Sequence, residues 1–101
     1  MRDVEGAIDY YMGEHARSAA LGFIAALQSG YGHIGHHPGS GSSRYAHELD
    51  IPGLLCWPLK KYPYVVFYVV RDDHLDVLRV LHAMRDIPEW LLGETVDRRS
   101  M

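Results

Sequence analysis

Lys60, Lys61, Tyr68, Arg79, His82 and Arg85 are the side chains of this sequence best suited to act on a phosphate ester. Basic groups beside a tyrosine can move the proton of a ribose 2′-hydroxyl and stabilise the charged phosphate, so such a set could cleave RNA without a metal. Their spacing argues against a shared centre. Along a strand over residues 75–82, alternation places Leu75, Val77, Arg79 and Leu81 on one side and Leu78, Val80 and His82 on the other. Arg79 and His82 therefore diverge unless the strand bends. Each residue also has a structural reading. Arg79 can lay its stem on apolar surface and pair with a carboxylate, or bind a partner. His82 can be a hydrogen-bonded histidine at a strand end, Lys60 and Lys61 a solvated turn, and Tyr68 a core residue.

His33, His36, His37 and His47 are the other chemically suggestive group. Without a companion cysteine or carboxylate at ligand spacing they are a weak metal signal, and neither a metal nor another cofactor is expected. Cys56 is the single cysteine. It cannot form an internal disulfide and reads as a small buried hydrophobe. Phosphate-binding glycine loops, nucleophile elbows and carboxylate dyads are absent from any context that would support them. Trp57 and Trp90 are the large aromatics that could anchor an interface, with core packing the better reading for Trp57.

A net charge of −3 argues against a protein whose main task is to grip a phosphate backbone, and no direct sequence-specific nucleic-acid binding is expected. The charge is unevenly placed. Residues 1–50 hold Arg2, Arg17 and Arg44 against six acidic residues, whereas residues 51–92 hold Lys60, Lys61, Arg71, Arg79 and Arg85 against five. An anion-seeking surface must lie in the second half. At 101 residues and 48% hydrophobic content the chain is sized for one domain spanning 1–101 with one core. No apolar run approaches the roughly 20 residues that cross a bilayer, and the start lacks a signal-peptide pattern, so a cytoplasmic protein without membrane contact is expected.

The elements that must position these groups follow from periodicity. Val4, Ala7, Ile8, Tyr11 and Met12 form one apolar stripe of a helix over 3–13, which Asp3 can cap and Gly13 can end. A second stripe runs through Ala16, Ala20, Phe23, Ile24, Leu27, Tyr31 and Ile34, weakened at its end by Gly30 and Gly32, and the two helices should form an antiparallel hairpin. Pro38 and the following GSGSS read as loop. Leu54 to Leu59 reads as a strand whose Pro58 points to an edge. Tyr64 to Val70, YVVFYVV, is a central strand covered on both faces. Leu75 to His82 is a third strand and Ile87 to Leu92 a short helix opened by Pro88. The order predicts an α+β fold, a helical hairpin packed on a small antiparallel three-stranded sheet with a short C-terminal helix.

The segments DVEGAIDYY and PGLLCWPLKKYPYVVFYVVRDDHLDVLRVLHAMRDIPEWL resemble the RelE/ParE toxin superfamily across nearly the whole chain. The most specific part is the ordered run Phe67-Tyr68, Asp72-Asp73, Val77 to His82 and Arg85-Asp86. Its closing pattern and the acidic balance resemble the ParE branch more than the RelE branch. The superfamily usually begins with a β-strand, and here the first helix follows Met1 and Arg2 directly, so the family's usual first strand is expected to be missing and one sheet edge open. What the resemblance implies is the toxin of a bacterial type II toxin–antitoxin system, of the kind that serves plasmid stabilization. It would inhibit DNA gyrase without being an enzyme and be neutralised by a cognate antitoxin. Alternatives are a ribosome-dependent mRNA endonuclease of the RelE type, or an inactivated toxin that only binds antitoxin. Lys60, Lys61, Arg79, His82, Arg85 and Trp90 are the expected partner-binding residues, with no catalytic or metal-binding set, and the open edge could support a homodimer or strand exchange.

Overall fold

The computed structural model describes residues 2–14 and 17–92. Helix α1 spans Arg2–Glu14 and helix α2 Arg17–His36, followed by a short 3-10 turn at Pro38–Ser40. The sheet follows as β1 (Leu54–Pro58), β2 (Tyr64–Val70) and β3 (Leu75–His82), and a helix over 86–92 closes the described chain. The strands form an antiparallel meander in the order β1-β2-β3. Among the described residues the sheet has these three strands, and no helix is long and apolar enough to cross a membrane.

The expected stripes are the buried ones. Ala7 and Tyr11 of α1 and Ala20, Phe23, Leu27 and Ile34 of α2 pack with Tyr64, Val66, Tyr68 and Val80 on one face of the sheet. Phe23, Val66 and Tyr68 are fully buried, each contributing about 1.5–3 kcal/mol of transfer free energy. Met12, placed on the stripe by spacing, is half exposed instead. Ala16 lies outside the described residues. Helix α2 runs on through Gly30, whose missing side chain leaves room for the residue after β1: a Cβ there would come within 2.9 Å of Leu59 Cδ2. Asp3 does not cap α1 from outside. It sits in the helix's first turn, where a carboxylate suits the helix dipole, and Gly13 does not end the helix.

YVVFYVV is covered on both faces, as its continuous apolar character requires. The second face carries a separate core of Leu49, Leu54, Cys56, Phe67, Val69, Leu81 and Ile87. Its cover is a segment, between the loop read at 38–43 and β1, to which the sequence assigned no element. Consecutive turns over 44–50 fold Tyr45, Ala46, Leu49 and Ile51 onto the sheet, and the helix over 86–92 adds Trp90 and Leu91. Asp50, at φ 54, and Gly53, at φ 81, supply the left-handed residues that bring this segment back into β1. Tyr68 ties the strap down by donating to Pro38 O at 2.7 Å and accepting from Gly41 N at 3.1 Å.

A bulge between Phe67 and Tyr68 of the β2–β3 ladder corrects the alternation expected for β3. Phe67 faces Arg79 while Tyr68 faces Val77, leaving Leu78 as the extra residue. Leu75 and Val77 thereby join Val80 on the helix side, while Leu78 and Leu81 pack on the second face.

Candidate functional site

A cleft of about 480 Å³ opens where the first turns of α1, the end of β3 and the helix over 86–92 meet. Arg79, Arg85 and Trp90 line it together with Arg2, Asp3, Tyr10, Asp86 and Glu89. Arg79 follows the bulge and stands opposite Phe67 in the ladder. Its guanidinium donates to Asp3 from Nε at 2.7 Å and from Nη2 at 3.1 Å, and lies 5.4 Å from the centre of the Trp90 ring. This pairing, the geometry a fork-shaped guanidinium favours, holds Arg79 more firmly protonated than usual. The same Asp3 carboxylate accepts from Val80 N at 3.1 Å.

A second pair repeats the arrangement. Arg85 donates to Asp86 from Nε at 2.9 Å and to Tyr64 Oη at 3.3 Å, while Asp86 accepts from His82 N at 2.9 Å. These bonds raise the Arg85 pKa; the Arg85 bond above all holds the Asp86 carboxyl below its usual 3.8. The two carboxylates therefore stop the N–H groups of Val80 and His82, alternate residues on the outer side of β3, at the positions an added strand's carbonyls would take. The edge expected to be open is capped over this half. Leu75 and Val77 keep theirs uncapped among the described residues.

The remaining candidates fall elsewhere. His82 Nδ1 accepts from Met84 N and Arg85 N, a structural role, and its ring meets Tyr64 edge-on at 5.3 Å. Lys60 and Lys61 occupy the β1–β2 turn at the same end of the sheet, joined to the β3 end through Ala83 N donating to Pro63 O at 2.8 Å, and neither lines the cleft. Trp90 packs edge-on against Phe67 at 5.0 Å, so it serves the second core as well as the cleft wall. Trp57 is half-buried with His33 stacked on it at 4.1 Å. Burial pushes the Cys56 thiol up despite nearby Arg44, which leaves it a packed hydrophobe.

Asp3 and Tyr10 are the site residues that sequence spacing did not single out. Asp3 lies 76 positions from Arg79, beyond any local pattern; only the acidic excess of the first half against the basic residues of the second pointed that way. The model of one protein family, described as ParE toxin of type II toxin-antitoxin system, parDE, matches residues 1–87. The chain belongs to this family. A search of curated proteins gives no match. The family match takes in the arginine–carboxylate pairs of this ParE-family toxin and ends before Trp90. Membership implies an antitoxin as its protein partner.

Proposed function

We propose that this ParE-family toxin inhibits DNA gyrase by stabilising the enzyme on cleaved DNA, and that a cognate antitoxin neutralises it in the cytoplasm. The observation that supports a binding mode of action is the engagement of four of the six groups that metal-free RNA cleavage would use, Lys60 and Lys61 being the exposed exceptions in a turn outside the cleft. Arg79 and Arg85 are each paired with a carboxylate, His82 Nδ1 holds two backbone amides, and Tyr68 is buried and hydrogen-bonded. A general acid or base must be within reach of the proton it moves; Arg79 and Arg85 reach the cleft already bound to carboxylates, while Tyr68 lies buried away from it.

The cleft supports a particular kind of antitoxin tail. With Arg2, Arg79 and Arg85 against Asp3, Asp86 and Glu89, it is balanced in sign, so the tail that fits it carries both signs and an apolar residue for Trp90. A tail of acidic residues alone would have to displace Asp3 and Asp86 from the arginines. The test is induction of the full chain in growing cells, followed by mapping of transcript ends and DNA breaks. Growth arrest with gyrase-dependent DNA breaks and intact messages is the expected result. Codon-specific message cuts on ribosomes, with no DNA breaks, would overturn the reading and establish the ribonuclease alternative.

A further inference from the structure

The turn joining β3 to the helix over 86–92 is pinned from several directions. Ala83 N donates to Pro63 O at 2.8 Å, and Met84 N and Arg85 N donate to His82 Nδ1 at 3.2 and 3.1 Å. Asp86 grips the Arg85 guanidinium, which also lies 5.8 Å from the centre of the Tyr10 ring. Surface turns usually leave such amides to water. Here each amide of the turn has a protein acceptor, yet Met84 at its apex is 81% exposed, the most exposed large hydrophobic side chain among the described residues. Lys60 and Lys61 stand in the adjoining turn, Lys61 at φ 68.

We infer that the 83–85 turn is the surface by which this toxin engages its folded target protein, Met84 entering an apolar pocket and Lys60 and Lys61 meeting an acidic rim. This rests on the proposed reading of the chain as an inhibitor of a target enzyme. The shape selects the partner. A convex, rigid knob fits a preformed pocket on a folded protein, whereas a flexible antitoxin tail needs a groove such as the Arg79–Trp90 cleft. Ordering of the turn before binding removes part of the entropic cost of association. An unbranched thioether adapts to the pocket it enters, and the basic collar steers the toxin toward acidic surface. His82 acts as a positioning residue, fixing the turn through the two amide hydrogen bonds that its Nδ1 accepts.

The experiment uses the full chain and compares wild type with Met84→Asp, His82→Leu and His82→Asn for growth arrest on induction, inhibition of purified gyrase, and melting temperature. Met84 packs so little that its substitution should leave melting unchanged. Met84→Asp is expected to weaken growth arrest and gyrase inhibition together by roughly 30-fold, the loss typical of a truncated interface anchor. His82→Leu is expected to lose activity and His82→Asn to recover it, because an asparagine oxygen can accept the same two amides. Met84→Asp that still arrests growth at the wild-type dose would overturn the inference. His82→Leu with full activity would overturn the positioning role. A wild type that arrests growth without touching gyrase would sink the gyrase reading alone, since growth arrest by the variants still tests the turn.

Discussion

Asp3 holds three donors on two oxygens: the Arg79 Nε and Nη2 groups and the Val80 amide. The carboxylate is 17% exposed and the arginine 39%, so the ion pair itself contributes only about 1 kcal/mol once solvent screening is counted. Losing the acceptor for Val80 N costs a further amount of about 1–3 kcal/mol. Asp3→Ala is therefore expected to destabilise more than Arg79→Ala, with Asp3→Asn between, in denaturant unfolding. Equal effects of Asp3→Ala and Arg79→Ala would mean that the amide bond is worth nothing. Asp86 makes a different prediction because its folded pKa is depressed, chiefly by the Arg85 bond. The stability it contributes is fully present above the usual carboxylate value and is lost as pH falls through the lower folded value, in a window below about pH 4. Wild type should outlast Asp86→Asn in urea at pH 6 and lose that advantage toward pH 2.5; a gap independent of pH would contradict the linkage. Little of this was legible in the sequence. Arg79 as a carboxylate-paired stem and His82 as a structural histidine were legible from residue type and strand position. Their partners were not, since Asp3 reaches Arg79 only through the tertiary fold.

Among the elements, the sheet edges decide how the toxin associates. The outer side of β1 is blocked by the Ser42–Cys56 bridge, by Leu54 N donating to Ile51 O, and by Pro58, which has no N–H. The outer side of β3 is blocked at Val80 and His82 by Asp3 and Asp86. Natural sheets use inward-turned charge in this way against edge-to-edge pairing. Removing both caps in Asp3→Ala/Asp86→Ala should raise self-association in sedimentation at micromolar concentration, while wild type stays monomeric. A wild type already paired through β3 would show that the uncapped stretch at Leu75 and Val77 is enough for strand addition. The bounds of β2 and β3 were legible because apolar runs ended in turn residues on both sides. The β3 bulge was not, because the adjacent apolar pair Val77-Leu78 between Asp76 and Arg79 breaks strict alternation without saying which of the two is the extra residue. The turns over 44–50 escaped as well: Tyr45, Ala46 and Leu49 fit a helical face for a single turn, too short to establish a period, and Ile51 departs from it.

At the scale of the molecule, two cores on opposite faces of one sheet leave a balanced-charge cleft on one side and a hydrogen-bonded turn, beside Lys60 and Lys61, at the adjoining sheet end. The fold class was legible from the order of periods alone, and the family from the run between Phe67 and Asp86, whereas the separation of cleft from turn required the coordinates. Under the proposed function the cleft takes a flexible antitoxin and the Met84 turn a folded target, with Arg85 bordering both, and the proposed activity is gyrase inhibition. It is tested most directly by titrating the purified chain into a gyrase supercoiling reaction on relaxed plasmid, with linear DNA scored after detergent and protease. The account predicts falling supercoiling with a parallel rise in linear DNA. Full supercoiling at a large molar excess of folded toxin, with no linear DNA, would contradict it.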